Sequence, residues 1–381
     1  MHKTVTVLLL AAAFLIPAAL LQTQAPPPPA DAAKTMDIYF LDTEGGQATL
    51  FVSPTGQSML VDTGFAGGMP DAPAQPAIGA GGGATLPPVG RDASRILEVL
   101  RQAGVTVLDY VVITHYHGDH VGGAADIASR IPIRTFIDHG PYTVELQPNR
   151  AAGFIAYRTV RDRARAIVPK PGDRIPLAGL DVRVLSSSGE LITAPIAGAP
   201  GAGAPNALCR NARLKEADPT PENTESIGLA VRYGNFRLLD LADLTWNQES
   251  QLACPNNLLG TFDVFHTTRH GDPNSGAPQL VHAIRARVAV MNNGERKGGS
   301  PEYWQTVHEA PGLEDFWQLH RSAAGGADHN SPEPFLANLS ETDHGHYLKI
   351  SARADGSFTM SNQRNKFSKE YPARGRVPAR P

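Results

Sequence analysis

The chain has 381 residues, of which 41% are hydrophobic and 19% are charged, a composition that is ordinary for a globular protein. Its formal net charge is −3 at pH 7, so no overall charge attracts it to nucleic acid or to an anionic membrane. The length allows two domains, and beyond the N-terminus no apolar run approaches the roughly 20 residues that a membrane span needs.

Residues 1–25 have the pattern of a secretory signal peptide. Lys3 precedes an apolar core, and Ala25 is the small residue at the end of an imperfect A-x-A-like cleavage site. Pro17 interrupts the apolar run, which disfavours a retained helical anchor. Residues 26–36, rich in Pro and Ala, follow as a stiff and extended spacer. The sequence therefore predicts export to the periplasm or the extracellular medium, without a stable membrane span after cleavage.

The segments that follow predict strands, a loop and a helix. Residues 37–64 favour two or three strands, and residues 64–90 favour a loop because they are dense in Gly, Pro and Ala. Residues 92–104 have apolar positions at helical spacing, with Asp92 as the predicted N-cap and Gly104 at the end.

Residues 108–113, "LDYVVI", predict a buried strand, and candidate metal ligands follow it at once. His115, His117, Asp119 and His120 lie in the turn between this strand and the start of a helix. Imidazoles bind zinc-like ions, and a carboxylate beside them can bind a second cation. The alternative is a polar loop whose histidines have no function, but H-x-H-x-D-H is a far more specific signal of a metal site than a single histidine.

The rest of the chain predicts alternating strands and helices around a second Gly/Pro-rich loop. The predicted elements are a strand over 131–140, a helix over 151–166, a hairpin over 174–188, a loop over 189–222, a strand pair over 226–244, a helix and a strand over 277–294, helices over 300–320 and a hairpin over 346–362.

Two cysteines, Cys209 and Cys254, occur in the chain. An even number of cysteines in an exported protein suggests one disulfide, since the compartment is oxidising. The alternatives are two free thiols or a cysteine that binds a metal, and no neighbouring residue supports either.

Four segments together resemble the metallo-β-lactamase superfamily of metallohydrolases. Besides the H-x-H-x-D-H turn, residues 37–65 resemble its opening hairpins and first aspartate motif, residues 226–244 its strand pair with a bridging aspartate, and residues 263–271 its later histidine motif. The set is similar to the ComEC-like branch, the hydrolase domain of competence proteins. The resemblance implies an α+β fold, a four-layer αββα sandwich over residues 37–362 with long Gly/Pro-rich loops, and a basic tail over residues 363–381.

The resemblance also implies a set of metal ligands. It places His115 and His117 on one ion, Asp119 and His120 on a second ion, and the carboxylate of Asp243 between the two ions.

Other positions are matched to the same pattern. His270 matches the last ligand histidine, although Arg269 stands where the branch often has a further histidine. Ala242 occupies a position where glycine is common, which is tolerable if the turn does not need a positive φ. Asp62 is expected to orient a ligand histidine rather than to bind a metal itself.

One ligand of the first ion has no clear counterpart. Many members of the superfamily have a third histidine there, and in this chain only His139 lies in the interval, too early for the usual position. The first ion is therefore expected to have fewer protein ligands and to be held more weakly. His139, His344 and His346 are candidate substrate or pocket residues, and the alternative for each is no role in the site.

The resemblance implies a hydrolase with two divalent metal ions, zinc first and manganese or iron as alternatives. Two adjacent cations lower the pKa of a shared water, and the hydroxide attacks a phosphodiester or similar bond. Asp119 would orient this hydroxide and pass on its proton. The alternatives are a hydrolase of amide or ester bonds, such as β-lactams or lactones, and a non-catalytic binding protein. A small molecule or a phosphodiester is the expected partner, because the net charge gives little support to polymeric nucleic acid.

The first prediction concerns export. Mass spectrometry of the protein recovered outside the cytoplasm should show a chain that starts near residue 26, because Ala25 ends the predicted cleavage site. A soluble cytoplasmic protein that retains Met1 would contradict this.

Overall fold

The computed structural model describes residues 34–67, 88–141, 151–218, 221–340 and 345–375, with only the backbone of residues 151 and 152. The predicted signal peptide, nearly all of the predicted spacer, most of the first Gly/Pro-rich loop, His344 and the end of the predicted tail lie outside the described residues.

Within these ranges, hairpins alternate with parallel strand–helix units. The strands are β1 (Met36–Phe40), β2 (Thr49–Val52), β3 (Ser58–Val61), β4 (Leu108–Val112), β5 (Ile133–Ile137), β6 (Arg165–Ile167), β7 (Arg174–Ile175), β8 (Asp181–Ser187), β9 (Glu190–Leu191), β10 (Gly228–Tyr233), β11 (Phe236–Asp240), β12 (Val264–His266), β13 (Val288–Met291), β14 (Asp315–His320), β15 (Leu336–Asn338), β16 (Leu348–Ala352), β17 (Phe358–Asn362) and β18 (Ser368–Tyr371). The helices are α1 (Arg91–Gln102), α2 (Gly118–Val121), α3 (Ala124–Ala128), α4 (Ala151–Arg161), α5 (Trp246–Ala253), α6 (Pro278–Val281) and α7 (Pro301–His308).

The strands form two sheets with similar connectivity. The first sheet has the order β18-β17-β16-β1-β2-β3-β4-β5-β6, and the second has the order β15-β14-β13-β12-β11-β10-β8-β7, with β9 beside β8. In the first sheet the antiparallel pair β2–β3 leads into the parallel strands β4 to β6. In the second sheet the antiparallel pair β10–β11 leads into the parallel strands β12 to β15. Each half therefore ends its parallel strands at one edge.

Three apolar clusters divide the fold into four layers. Because side chains alternate along a strand, Ile38 and Phe40 of β1 face the second sheet and pack in a cluster with Leu238 and Trp317. Tyr39 faces the opposite side, in a cluster that includes side chains of α1, α3 and α4. A third cluster joins the second sheet to α5, α6 and α7. The predicted α+β fold of αββα layers is confirmed.

Helix α1 shows how the sequence positions a helix, with one correction. Ile96, Leu97 and Leu100 are buried on its apolar face. The prediction that Asp92 is the N-cap is wrong, because Gly90 precedes the helix and Asp92 lies inside its first turn. The carboxylate of Asp92 instead accepts hydrogen bonds from the backbone N–H of Phe65 and the side chain of Arg91.

The prediction of helices throughout residues 300–320 is wrong for the second half of the segment. Residues 301–308 form α7, but residues 315–320 form β14, which pairs with β13 in parallel. Phe316 packs toward the helices and Trp317 packs between the sheets. A strand that is buried on both faces lacks the polar alternation that identifies a strand in the sequence.

The predicted basic tail over residues 363–381 also needs a correction, because residues 368–371 form β18 and pair with β17. Tyr371 is buried, and its hydroxyl donates to Asp315 at 2.6 Å and accepts from Nε1 of Trp317 at 3.1 Å. Basic residues surround this short strand, and Tyr371 is its one buried side chain, so the sequence does not show the pattern of a strand.

The predicted disulfide is confirmed, since Cys209 and Cys254 are joined with 5.6 Å between their Cα atoms. It ties a 3-10 helix in the second Gly/Pro-rich loop to the end of α5. No helix among the described residues is long and apolar enough to cross a membrane.

The second prediction follows from this bridge. The disulfide closes a loop with a sequence separation of 45 residues, so its loss should lower the free energy of unfolding by about 4 kcal/mol in the chain-entropy account. Denaturant unfolding of the Cys209→Ser/Cys254→Ser variant measures this without a reductant. Two titratable thiols in the denatured, unreduced protein would show that the bridge does not form.

Candidate metal centre

The candidate ligands lie where strands of both sheets end. β4 runs into the turn that carries His115 and His117, and α2 begins at Gly118. Asp243 follows β11, and His270 lies in a 3-10 turn after β12. Because these strands are parallel within each sheet, their carboxyl ends meet at the edge where the two halves of the chain approach each other.

Four of these side chains form the Asp119 group, which consists of Asp119, His120, Asp243 and His270. Their ligand atoms lie within 4.8 Å of one another. Nε2 of His120 is 3.3 Å from Oδ2 of Asp119 and 3.4 Å from Oδ1 of Asp243. Nε2 of His270 is 3.2 Å and 3.4 Å from the same two oxygens. Two imidazole nitrogens and two carboxylate oxygens thus surround one point.

Three side chains form the His115 group, which consists of His115, His117 and Asp243. Nε2 of His115 is 2.9 Å from Nδ1 of His117 and 4.0 Å from Oδ2 of Asp243. Asp243 therefore offers Oδ1 to the Asp119 group and Oδ2 to the His115 group. A cation in each group would therefore have one oxygen of this carboxylate within reach.

The chemistry of these atoms fits divalent metal ions. Nε2 of His120, Nε2 of His270 and Oδ1 of Asp243 are buried and make no hydrogen bond to any residue in the described part of the chain. Buried polar atoms without partners are costly, and three of them converge here. Imidazole nitrogen and carboxylate oxygen are ligands that Zn²⁺ accepts, and also Mn²⁺ and Fe²⁺.

Electrostatics within the cluster keep some of these groups in the state that binds a metal. Burial, and then the neighbouring imidazoles of His120 and His117, lower the pKa of His115 well below its ordinary value. Burial also lowers the pKa of His117. Burial disfavours the charged form of Asp243 too, but His270 and His120 outweigh it and hold its pKa well below the ordinary value. Neutral imidazole and ionised carboxylate are the forms that coordinate metals.

Asp62 supports the cluster from behind and is not a ligand in either group. Its Oδ2 lies 2.7 Å from Nδ1 of His120, and it also accepts from the hydroxyl of Thr114 at 2.7 Å. The backbone N–H of Thr114 donates to Oδ1 of Asp62 at 2.8 Å. The contact between Asp62 and Nδ1 of His120 orients the ring so that Nε2 faces the site. Carboxylates commonly orient metal-binding histidines in this way.

The turn before Asp243 needs a left-handed residue. Ala242 has φ of 49°, so the turn does need a positive φ, and the condition under which alanine would replace glycine without strain is not met. A left-handed alanine costs about 1 kcal/mol. Two hydrogen bonds offset this strain, from the N–H of Ala242 to Oδ1 of Asp240 at 3.0 Å and from the N–H of Arg269 to the carbonyl of Ala242 at 2.8 Å.

The turn that presents His270 is also left-handed, at Arg269 (φ 52°) and at His270 (φ 55°). The guanidinium of Arg269 pairs with the buried carboxylate of Asp218, and the amide of Asn292 lies 3.0 Å from Nδ1 of His270. Arg269 thus anchors the turn to the second Gly/Pro-rich loop.

The structure does not bring His139 into the pocket. His139 is buried, its Nε2 lies 2.8 Å from Oε1 of Glu222, and its ring packs on Tyr116. Glu222 also accepts from the backbone N–H of Tyr116 at 2.8 Å, so the pair of Glu222 and His139 supports the turn that carries His115 and His117. No sequence pattern identifies Glu222, because its contacts lie about a hundred residues away in the chain.

His346 is not brought to the site either, and His344 lies outside the described residues. The backbone N–H of His346 donates to Asn338 at 3.0 Å, and its Nδ1 lies 3.3 Å from the side-chain oxygen of Gln363. His266, at the end of β12, pairs with Asp240 at 3.0 Å rather than with a candidate ligand.

A third cluster of suitable side chains contains Asp42, Glu44 and His320. Nη1 of Arg95 lies 2.9 Å from the carboxylate of Asp42, and Nη2 lies 3.3 Å from that of Glu44. Since a guanidinium already supplies the positive charge, this cluster is an ion-pair network rather than a metal site.

A cavity of about 630 Å³ opens onto the two groups. Its wall includes His117, Asp119, Asp243 and His270, together with Phe65 from the start of the first Gly/Pro-rich loop. Lys297, which no motif in the sequence singles out, also lines this cavity. Its ammonium group contacts the carboxylate of Asp119 and lies 5.2 Å from the centre of the Phe65 ring, and its side chain is 43% exposed.

Solved structures resemble the fold at low sequence identity. The metallo-beta-lactamase fold protein YhfI from Bacillus subtilis is 12% identical, with a TM-score of 0.40, over 74% of this chain and 96% of that protein. CmlA, a diiron beta-hydroxylase from Streptomyces venezuelae, is 16% identical, with a TM-score of 0.36, over 75% of this chain and 48% of that protein.

Sequence comparisons match parts of the chain to curated hydrolases and to a family model. The chain is 32% identical over 101 residues to a hydroxyacylglutathione hydrolase of Acidiphilium cryptum, which is 26% of this chain and 34% of that protein. It is 28% identical over 110 residues to a hydroxyacylglutathione hydrolase of Rhodopseudomonas palustris, or 29% and 36% of the two chains. The chain thus matches about a third of the length of these relatives. Residues 42–203 match the Metallo-beta-lactamase superfamily, so the chain carries a domain of this superfamily on the metallo-β-lactamase fold.

Proposed function

We propose that the protein is an exported hydrolase that holds two divalent metal ions and cleaves a phosphodiester or a similar anionic ester. The observation that carries the proposal is the position of Asp243, whose two oxygens face two separate sets of histidines. Three converging buried atoms without hydrogen-bond partners among the described residues support a bound metal ion, and the cavity that opens onto them supports a reactive site over a closed structural one. The superfamily domain supports the same chemistry.

The ligand assignments are part of this proposal. His115, His117 and one oxygen of Asp243 would hold the first ion, and the Asp119 group would hold the second. Bound divalent cations supply an activated water and a Lewis acid for the substrate oxygen. Asp119 would orient that water and accept its proton, because its carboxylate borders both the cavity and the ring nitrogens of the second set. The smaller His115 group would lose its ion first.

The charge of the cavity supports an anionic substrate. When Asp119 is engaged by a cation, the ammonium of Lys297 remains at the rim of the same cavity. Phe65 beside it offers an apolar wall. An ammonium next to the reaction centre can bind a phosphate or carboxylate oxygen through a charge-assisted hydrogen bond. This arrangement supports the phosphodiester activity that the ComEC-like resemblance implies.

A second candidate is a thioester, lactone or β-lactam hydrolase. The relatives with 32% and 28% identity are named hydroxyacylglutathione hydrolases, which favours an acyl group as the electrophile. Lys297 suits this candidate as well, since glutathione conjugates carry carboxylates. The difference between the candidates therefore lies in the reacting bond and not in the charge of the substrate.

Export is supported by the disulfide, because such bonds persist in oxidising compartments. Zinc is the proposed metal, with manganese and iron as alternatives, since both ligand groups combine imidazole and carboxylate.

The third prediction tests the metal ligands. Purified protein should contain up to about two equivalents of divalent metal, and Asp243→Ala should lower the content most because one carboxylate serves both sites. His117→Ala should empty the first site, and His270→Ala should weaken the second. Asp62→Asn should lower metal affinity about 10- to 100-fold without removing a ligand. Elemental analysis and metal titration measure these effects.

His308→Ala is the matched control, because this histidine is exposed at the end of α7. Its metal content should equal that of the unaltered protein. If Asp243→Ala and His270→Ala both retained two equivalents, the site would lie on other residues.

The fourth prediction tests the substrate class. The metal-loaded protein should hydrolyse bis-p-nitrophenyl phosphate or single-stranded DNA faster than lactoylglutathione, a lactone or a chromogenic cephalosporin. Lys297→Gln should raise KM for an anionic substrate about tenfold or more, the value of one charged hydrogen bond, with little change in kcat. Lys297→Arg should restore binding. Unchanged metal content in these variants is the control.

Turnover of the thioester or the lactone alone would select the second candidate. A metal-loaded protein that hydrolyses none of these substrates would contradict both candidates. An equal rise of KM for a neutral ester in Lys297→Gln would show that the ammonium does not act through the charge of the substrate.

A further inference from the structure

A second, smaller cavity lies on the outer face of the second sheet. It has a volume of about 150 Å³ and shares no lining residue with the cavity at the candidate metal centre. Arg183 of β8, Arg232 of β10 and Arg237 of β11 line it. Val182 and Val231 beside them face the core between the sheets, so alternation turns these arginines to the opposite side.

The strand register places positive charges directly against one another. Arg232 is the cross-strand partner of Arg237, and Arg174 is the partner of Arg183. Like charges in these positions are destabilising. The one carboxylate among the lining residues is Asp181, which lies 2.9 Å from Arg174 and 3.2 Å from Arg232. Its charge is therefore already shared between two guanidinium groups.

Arg183 and Arg237 have no ion-pair partner anywhere in the described part of the chain. Arg237 is the more unusual of the two, because only 8% of it is exposed. Its side chain makes one long hydrogen bond, to the carbonyl of Leu259 at 3.4 Å, and its guanidinium lies 4.9 Å from the centre of the Phe262 ring. Nε of Arg237 is buried without a hydrogen-bond partner among the described residues.

A buried guanidinium stays charged and carries five donors, so its unmade hydrogen bonds are costly. Burial lowers the pKa of Arg237, and the charge of Arg232 lowers it further, against opposing effects of Asp263 and Asp181. The fold thus keeps a buried guanidinium beside a second cation, and no carboxylate among the described residues forms an ion pair with it. An anion in the cavity would supply the missing acceptors and a negative charge in direct contact.

We propose that this cavity is a binding site for a small tetrahedral oxyanion, a phosphate or sulfate group, held by Arg183 and Arg237. Guanidinium groups match such oxygens in geometry and charge. The volume is well below the roughly 300 Å³ of ordinary organic-ligand pockets, so the site takes one oxyanion group and not a whole nucleotide. The group belongs either to a free inorganic ion or to a phosphomonoester whose remainder stays in solvent.

The fifth prediction tests this site by calorimetric titration of the full chain with inorganic phosphate and with sulfate. Metal-depleted protein and Asp243→Ala should bind phosphate as tightly as each other, because the candidate metal centre takes no part. Arg237→Met and Arg183→Gln should each weaken binding about tenfold or more, the loss of at least one charged hydrogen bond. Arg134→Gln, which removes an exposed arginine of the first sheet, should bind normally.

A thermal measurement keeps the test independent of titration. In phosphate-free buffer Arg237→Met should unfold at a higher temperature than the unaltered protein, because the uncompensated charge is gone. Added phosphate should stabilise the unaltered protein and not the variant. Ribose 5-phosphate titrated in parallel separates the two sources, since tighter binding than inorganic phosphate points to a phosphorylated ligand and equal binding to the free ion.

The proposal is overturned if neither anion binds metal-depleted protein, or if Arg237→Met and Arg183→Gln both bind phosphate as the unaltered protein does. None of these measurements uses catalysis, so the outcome is separate from that of the proposed hydrolase function.

Discussion

One buried carboxylate, that of Asp243, sets the conditions that the rest of the site must meet. It is 4% exposed, and histidines from both sheets surround its two oxygens. A buried negative charge is tolerated only where positive or polar groups compensate it, so the ends of β4, β11 and β12 have to converge on it. The two-sheet sandwich provides this convergence because each half ends its parallel strands at the same edge. In the proposed metal centre, the negative charge of this same carboxylate would be shared by the two cations.

Each half has an aspartate at or just after the end of a strand that pairs with a histidine, and of these two pairs one faces the site. Asp62 follows β3 and lies 2.7 Å from a nitrogen of His120, while Asp240 ends β11 and lies 3.0 Å from a nitrogen of His266. The ring of His120 presents its other nitrogen to the Asp119 group. The ring of His266 packs against Phe40 in the core between the sheets, 5.0 Å from centre to centre. The second pair therefore stiffens the turn before Asp243 instead of supplying a ligand.

The sequence predicted the site residues that form a motif of neighbouring positions. It did not identify the residues whose roles arise from contacts with distant parts of the chain. H-x-H-x-D-H identifies its cluster because four candidate ligand residues follow a single strand within one turn, whereas Asp243 and His270 could be assigned only through the resemblance. Glu222 and Lys297 carry no local signal, since each acquires its role from a contact about a hundred residues or more away. The same limit explains the fold errors. β14 is buried on both faces, and β18 is a short strand among basic residues, so neither shows the alternation of a half-buried strand.

Backbone strain around the site has a physical explanation in the contacts that oppose it. Ala242, Arg269 and His270 are left-handed without being glycine, and they occupy the two turns that present Asp243 and His270. Such residues persist when the surroundings determine their conformation, and here the N–H of Arg269 donates to the carbonyl of Ala242 and so joins the two turns. The pair between Arg269 and Asp218 extends this support to the loop that the disulfide holds at Cys209. The positions of two proposed ligands therefore depend on an ion pair and a covalent bridge outside the cluster, and this gives Arg269 a structural role beside His270.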